Sequence, residues 1–461
     1  VKYVSTRGTA DVLGFEDAVL AGLARDGGLY VPQAWPEFSD EEIAAMAGQP
    51  YDEVAARVLL PFTGGAMDHD GLRALVVEAY AGFAHRGIVP LVQMDHQNWL
   101  MELFHGPTLA FKDLAMQVIG LLFEEILTKR DQRVTIVGAT SGDTGSAAME
   151  AFRGRERADV FILYPHGRVS EVQRRQMTTP SEPNVHAIAV EGDFDACQAH
   201  VKAMFNDHTF RDSMNLGAVN SINWARILGQ VVYYATTSVA LCSVGPVNYS
   251  VPTGNFGDIF AGYVAKQMGF PVGRLMVATN ENDILHRTFE TGRYEKGMTT
   301  PTISPSMDIQ VSSNFERLVF ELVERDGAAV TGMMDDLAKT GAFSLSQGHI
   351  ERLREDFDSA RVDQARTKAT IAKVLEDTGI LLDPHTAIGV AAAQGWEVDG
   401  PIVSLACAHP AKFPDAVKEA AGEIAELPPH MADLYERDER VTVLPNDLAA
   451  IQAHIRNEAR V

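Results

Sequence analysis

A lysine embedded in apolar neighbours is the first residue whose surroundings suggest chemistry. In HGPTLAFKDLAMQ, residues 105–117, Lys112 is flanked by Leu109, Ala110, Phe111 and Leu114 at the start of an expected helix. Desolvation and a helix N-terminus both disfavour the ammonium form, while Asp113 opposes them. A lysine with a lowered pKa is a nucleophile for carbonyl groups. The plainer reading is a solvated surface lysine, which most lysines are.

Two glycine-rich turns offer binding for anions. GATSGDTGSAA, residues 138–148, follows an expected strand Val134–Val137 and runs into a helix, so its backbone N–H groups favour a carboxylate or phosphate. Its glycines miss both the phosphate-loop pattern ending in Gly-Lys-Ser/Thr and the dinucleotide spacing. The alternative is a helix capped by Ser141 or Asp143. In PTGNFGDIF, residues 252–260, Gly254 and Gly257 let backbone approach a ligand while a helix from about Asp258 points its positive end at it. That suits a phosphate; the alternative is an ordinary turn with Asn255 in the left-handed region. One reactive lysine, one phosphate cradle and one carboxylate cradle together point to pyridoxal phosphate holding an amino acid.

A fourth stretch, VNSINWARILGQ at 219–230, places Ser221, Asn223 and Arg226 ahead of an apolar helical run. Arg226 suits a substrate phosphate gripped bidentately, or else it is a surface arginine on a capped helix. DPHTAIG at 383–389 and ACAHPAKF at 406–413 carry little by themselves. His105, His385 and His409 lack metal-ligand spacing, so no metal is expected and they read as pocket or core histidines.

The elements that must position these residues follow a strand, turn, helix rhythm. RVTIVGA, DVFILY, NVHAIAV, PVNYSVP, RLMVATN and PIVSLA are strand-like and alternate with helical segments, which predicts parallel sheets covered by helices on both faces. Residues 1–90 read as a mainly helical N-terminal extension without that alternation. The expected division is 1–90 for the extension, 91–225 for an α/β lobe with Lys112 and the 138–148 turn, and 226–461 for an α/β lobe with the 252–260 turn.

Composition narrows the partners. A chain of 461 residues that is 46% hydrophobic buries large cores, and a prior of about 150 residues per domain suggests two to three domains. The net charge of -23 opposes binding to nucleic acid or to anionic membranes and favours a small-molecule substrate. Three scattered cysteines, Cys197, Cys242 and Cys407, fit a reducing cytoplasm. No signal peptide is expected, and apolar runs are broken before the roughly 18 residues of a membrane span.

The ordered blocks GLARDGGLYVP, HGPTLAFKDLAMQ, SGDTGSAA, SINWARI, PTGNFGD, ATNEND, SMDIQVSSNFERL, DPHTAIG and AHPAKF resemble the threonine synthase family over nearly the whole chain. That family is of fold-type II pyridoxal-phosphate enzymes, related to the tryptophan synthase β family. The resemblance implies two open parallel-sheet α/β/α lobes with the site between them, behind the N-terminal extension. It implies that Lys112 is the Schiff-base lysine and that Gly254, Asn255, Phe256, Gly257 and Asp258 bind the cofactor. Ser141, Gly142, Asp143 and Thr144 would receive the substrate carboxylate, with Ser221, Asn223 and Arg226 also on the substrate. One position departs: Cys407 stands where the family pattern usually has Thr, opposite the pyridine nitrogen, and a thiol is the weaker partner.

The implied reaction converts O-phospho-L-homoserine and water to L-threonine and phosphate in a monomer or homodimer. A serine or threonine dehydratase of the same fold is the alternative enzyme, distinguished by phosphate release. A non-catalytic ligand-binding relative would have no need of Lys112. Lys112→Ala is expected to abolish threonine formation, because it removes both the cofactor anchor and the proton shuttle. Assay of the purified variant for threonine checks this, and substantial product would refute it.

Overall fold

Apolar runs that lack alternation become strands buried on both faces. The computed structural model describes residues 1–140 and 142–460, and in it every residue of Ala158–Pro165 is buried. That strand sits at the middle of a five-stranded sheet in the order Thr442–Pro445, Val185–Glu191, Ala158–Pro165, Val134–Ala139, Leu216–Gly217, with every pair parallel. A second sheet has six strands, in the order Phe357–Arg361, Val272–Thr279, Val247–Pro252, Ile402–Ala406, Asn98–Glu102, Leu91–Gln93. Its last pair is antiparallel, so this lobe is not purely parallel as expected.

Sheet membership also crosses the expected boundary at 225/226. Asn98–Glu102 precedes Lys112 in sequence yet pairs with Ile402–Ala406 in the six-stranded sheet. Thr442–Pro445, near the C-terminus, pairs with Val185–Glu191 in the five-stranded sheet. Parallel neighbours require crossover connections, so adjacency in a sheet does not follow adjacency in sequence. Each lobe is therefore assembled from separate stretches of chain.

The N-terminal extension is helical except for one strand pair that the sequence reading missed, Tyr3–Ser5 antiparallel to Tyr30–Pro32. Three-residue strands carry too few side chains for alternation to register. The pair is fastened to the body by Glu316, which accepts from the Thr6 hydroxyl at 2.6 Å and pairs with Arg7 at 3.1 Å.

Between the sheets run two long buried helices, Lys112–Arg130 and Trp224–Leu241. The stretch Trp224–Val244 is long and apolar enough by composition to cross a membrane, contrary to the expectation that every apolar run is interrupted; 72% of its most apolar window is buried inside the protein, as in a core helix.

Arg317 ties this core to the extension. Its side chain is fully buried, donates to Tyr30 O at 3.1 Å and to Ile222 O at 2.7 Å, bonds the Asn314 side chain, and lies over the Trp224 ring. Burial lowers its pKa to about 9, with Glu316 opposing, so it stays charged at neutral pH. The planar fork reaches acceptors from three stretches of chain, a geometry an ammonium lacks. Arg317→Lys keeps the buried charge and loses part of this network. It is expected to destabilise the protein by about 2 kcal/mol or more, read from the urea unfolding midpoint.

Candidate active site

The helices of Lys112 and Arg226 touch backbone to backbone. A Cβ built on Gly229 would stand 2.8 Å from the Ala115 Cα, so only glycine permits this crossing. Lys112 and Arg226 each lie three residues earlier, one turn toward the N-terminus. Both side chains consequently line one cavity beyond the carboxyl ends of Val247–Pro252 and Ile402–Ala406, together with Thr253, Ser306, His385 and Cys407.

Lys112 is held by pairing as well as helix position. Residues 109–111 run against 407–409, with Phe111 N–H donating to Cys407 O at 2.8 Å and His409 N–H to Leu109 O at 3.0 Å. Leu109 adopts φ 63°, a left-handed conformation costly for a branched residue. Lys112 Nζ lies 3.1 Å from Asp143. Burial pushes its pKa below the ordinary lysine value, as expected, but the opposing carboxylate is Asp143 rather than Asp113. Asp113 instead accepts from the Thr108 N–H and hydroxyl, and burial raises its pKa to about 6.

The 252–260 turn forms a narrow cradle. Phe256, not Asn255, takes the left-handed conformation, with φ 64°. A Cβ on Gly254 would come within 3.0 Å of Ser306 O. The loop is fastened by Ser312, whose hydroxyl donates to Gly254 O at 2.7 Å, and by Asn314 N–H donating to Asn255 O at 3.0 Å. The 11-residue helix Gly257–Gln267 then directs its N-terminus toward the same cavity. A glycine-lined helix N-terminus facing a buried amine of lowered pKa fits a phosphate-bearing aldehyde, and hence pyridoxal phosphate. The Asp258 carboxylate lines the cavity but is engaged elsewhere: the Tyr233 and Tyr234 hydroxyls donate to it at 2.6 and 2.9 Å.

Ser221 and Arg226 reach the cavity wall, whereas Asn223 does not. Its side chain caps the core helix by accepting from Ala225 N–H and donates to Val19 O and Ala218 O, which is a structural use. Arg226 is buried, which lowers its pKa to about 10. Its Nη1 reaches Val219 O at 3.4 Å, and its Nε has no hydrogen-bond partner among the described residues. Arg226 lines the cavity, and a buried guanidinium there suits an anionic ligand.

The 138–148 turn departs most from expectation. Ser141 lies outside the described residues, and Thr144 lines the cavity. Gly142 is absent from the lining, and its N–H donates to the Thr140 hydroxyl at 2.9 Å, so it does not serve a carboxylate there. The Asp143 side chain is an anion between two lysines, Lys112 at 3.1 Å and Lys412 at 2.9 Å. Burial alone would raise its pKa; the two lysines hold it well below the ordinary carboxylate value. Like charge bars it from binding a substrate carboxylate through that side chain.

Three polar residues around the cavity had no role in the sequence reading, Lys412, Gln173 and Ser306, while His385, read there as a pocket or core histidine, lines it. The His385 ring pairs with Asp383 at 2.7 Å, and its Nε2 accepts from Ser306 N–H at 3.4 Å. Lys412 and His385 fall within the AHPAKF and DPHTAIG blocks, so the motifs were visible while the partners were not. Cys407 lines the cavity and is a neutral thiol, its pKa pushed well up by burial and by Asp383 and Asp258.

The chain matches the family descriptions "Threonine synthase N terminus" over residues 2–80, "Pyridoxal-phosphate dependent enzyme" over 84–408 and "Threonine synthase, C-terminal" over 386–455. It is 53% identical over 459 residues to threonine synthase of Pseudomonas aeruginosa, covering 99% of this chain and 98% of that one. The crystal structure of a PLP-bound threonine synthase from Brucella melitensis superposes with a TM-score of 0.96 at 55% identity, covering 100% of both chains. The yeast enzyme's structure gives 0.94 at 38% identity, covering 99% of this chain and 98% of that one.

Burial raises the Asp258 pKa from the ordinary 3.8 to about 6, so the folded state binds this proton more tightly than the unfolded chain. Its stabilising contribution is complete below pH 3.8 and is lost as pH rises through about 6. Asp258→Asn cannot ionise. It should gain stability relative to the parent between pH 4 and 7, by about 2 kcal/mol, in urea titrations of cofactor-free protein at the two pH values.

Proposed function

The chain belongs to the threonine synthase family of pyridoxal-phosphate enzymes, and we propose that the cavity around Lys112 converts O-phospho-L-homoserine and water to L-threonine and phosphate. The observation that carries this reading is one cavity holding a buried amine, a glycine-lined helix N-terminus and a buried guanidinium with an unused donor.

Pyridoxal phosphate, when bound, supplies the electron sink for the bonds broken at substrate carbon. Lys112 would hold its aldehyde carbon and residues 254–257 its phosphate, through backbone N–H groups at the helix N-terminus. Cys407 would border its ring as a neutral thiol. The substrate carboxylate falls to the Thr144 side of the cavity, where the start of the helix Asp143–Phe152 favours negative charge.

Arg226 and Ser221, which line the same cavity, bind the substrate phosphate and orient Cγ for departure of phosphate. Lys112 is the one amine among the described residues lining the cavity, so it is the base for the protons at Cα and Cβ. The same nitrogen returns protons to Cγ and Cα, while water adds its oxygen at Cβ. Cys197, Cys242 and Cys407 are free thiols, in keeping with a reducing cytoplasm.

Simultaneous release of phosphate and threonine from phosphohomoserine by the purified protein tests the assignment, and a keto acid with no phosphate release would favour the dehydratase reading. Arg226→Ala is expected to raise KM for phosphohomoserine by about tenfold or more, a charge-assisted contact of about 1.5 to 3 kcal/mol. Binding of a neutral amino acid, followed by the cofactor's absorption, should change far less. Equal losses for the two ligands would make Arg226 structural. Ser221→Ala should act in the same direction and more weakly.

A further inference from the structure

The Asp143 carboxylate is saturated from both sides. Its Oδ2 accepts from Lys112 Nζ and from the Ser306 hydroxyl, each at 3.1 Å. Its Oδ1 accepts from Gln173 Nε2 and from Lys412 Nζ, each at 2.9 Å. Lys412 is fully buried, and its Nζ also donates to Thr108 O at 2.7 Å. The Ser170 hydroxyl joins Gln173 Oε1 to Lys412 O, so the three side chains form one braced unit.

A lysine that carries protons to and from carbon alternates between amine and ammonium. If Lys112 were the sole partner of a buried carboxylate, each loss of its charge would leave that carboxylate unpaired, and the carboxylate would take up a proton instead. The second lysine prevents this, because the Asp143–Lys412 pair is already neutral as a unit when Lys112 carries no charge. When Lys112 gains a proton, the carboxylate is waiting 3.1 Å away.

We propose that Lys412 is a positioning residue for the proton chemistry of Lys112: with Gln173, it keeps the Asp143 carboxylate ionised and aimed at Lys112 Nζ whatever charge Lys112 carries. This rests on the proposed function for its catalytic consequence and on geometry alone for the coupling itself. The other titratable groups facing Lys112, Asp143 and Lys412 are His385 from the helix Pro384–Ala393, Arg226 from the core helix, Asp258 from the helix Gly257–Gln267, Asp113 beside Lys112, and Cys407. They remain in place in every variant below.

The coupling is measured without turnover. In cofactor-free full-length protein, acetic anhydride labelling of Lys112 is followed by mass spectrometry as a function of pH. Asp143→Asn removes the anion and should move the labelling midpoint down by at least about one pH unit; Lys412→Gln removes the competing cation and should move it up by a similar amount. Lys412→Arg should restore the parental midpoint. In the holoenzyme with phosphohomoserine, Lys412→Gln should lower kcat at least about tenfold while KM stays within about threefold, and the acid limb of the kcat profile should move to higher pH.

Unmoved labelling midpoints in both Asp143→Asn and Lys412→Gln would overturn the proposal. So would a kcat loss with an unchanged pH profile, or failure of both Lys412→Gln and Lys412→Arg to fold, since each makes Lys412 purely structural. If the parent protein does not turn over phosphohomoserine, the proposed function fails while the labelling series still decides the coupling.

Discussion

The contact on which the site depends is the backbone crossing at Ala115 and Gly229, where any larger residue at 229 would collide with the Ala115 Cα at 2.8 Å. Two helices that close cannot be tilted or shifted independently. Their N-terminal turns therefore present Lys112 and Arg226 to one space, and the sheets on either side supply the loops that complete it. Arg317 extends the same constraint outward, since it bonds the carbonyl just ahead of the core helix and the strand pair of the N-terminal extension. The extension thus acts as a brace for the loop that carries Ser221.

Charge is distributed against the overall balance. The chain is acidic, at -23, yet Lys112, Arg226, Arg317 and Lys412 are all buried near the centre. Asp143 neutralises one such charge, and Asp258 is held by two tyrosines and stays partly protonated near neutral pH. Arg226, on the cavity wall and with its Nε unpartnered among the described residues, leaves a positive group there that suits a phosphorylated ligand. Low polarizability around these groups makes each charge count for more than it would at the surface.

The same burial separates residues that resemble one another in sequence. Asp113 and Asp143 both follow closely on a reactive segment, yet one is engaged by a neighbouring threonine and the other by two lysines. Asn223 and Ser221 sit two residues apart, and one caps a helix while the other lines the cavity. The Cys407 N–H donates to the Thr386 hydroxyl at 3.0 Å, a bond that joins two motifs of no evident meaning alone.

Local chemistry made much of this protein legible from its sequence. Glycines at 254 and 257 ahead of a helix, a lysine among apolar residues, and buried strands without alternation are decided within a few residues, by backbone sterics and by hydrophobic period. Which strands share a sheet was not legible, because Asn98–Glu102 finds its partner about 300 residues away, after crossovers whose order no local pattern encodes. The fate of Asp143 was hidden for the same reason. Its position after a glycine turn marks a helix start, but whether its carboxylate meets an anionic ligand or two ammonium groups depends on Lys412, 269 residues later, reaching it through the fold. Sequence specifies the chemical groups and their local geometry; tertiary packing alone decides which charges face one another, because in a buried site the energy of a charge is set by its neighbours in space.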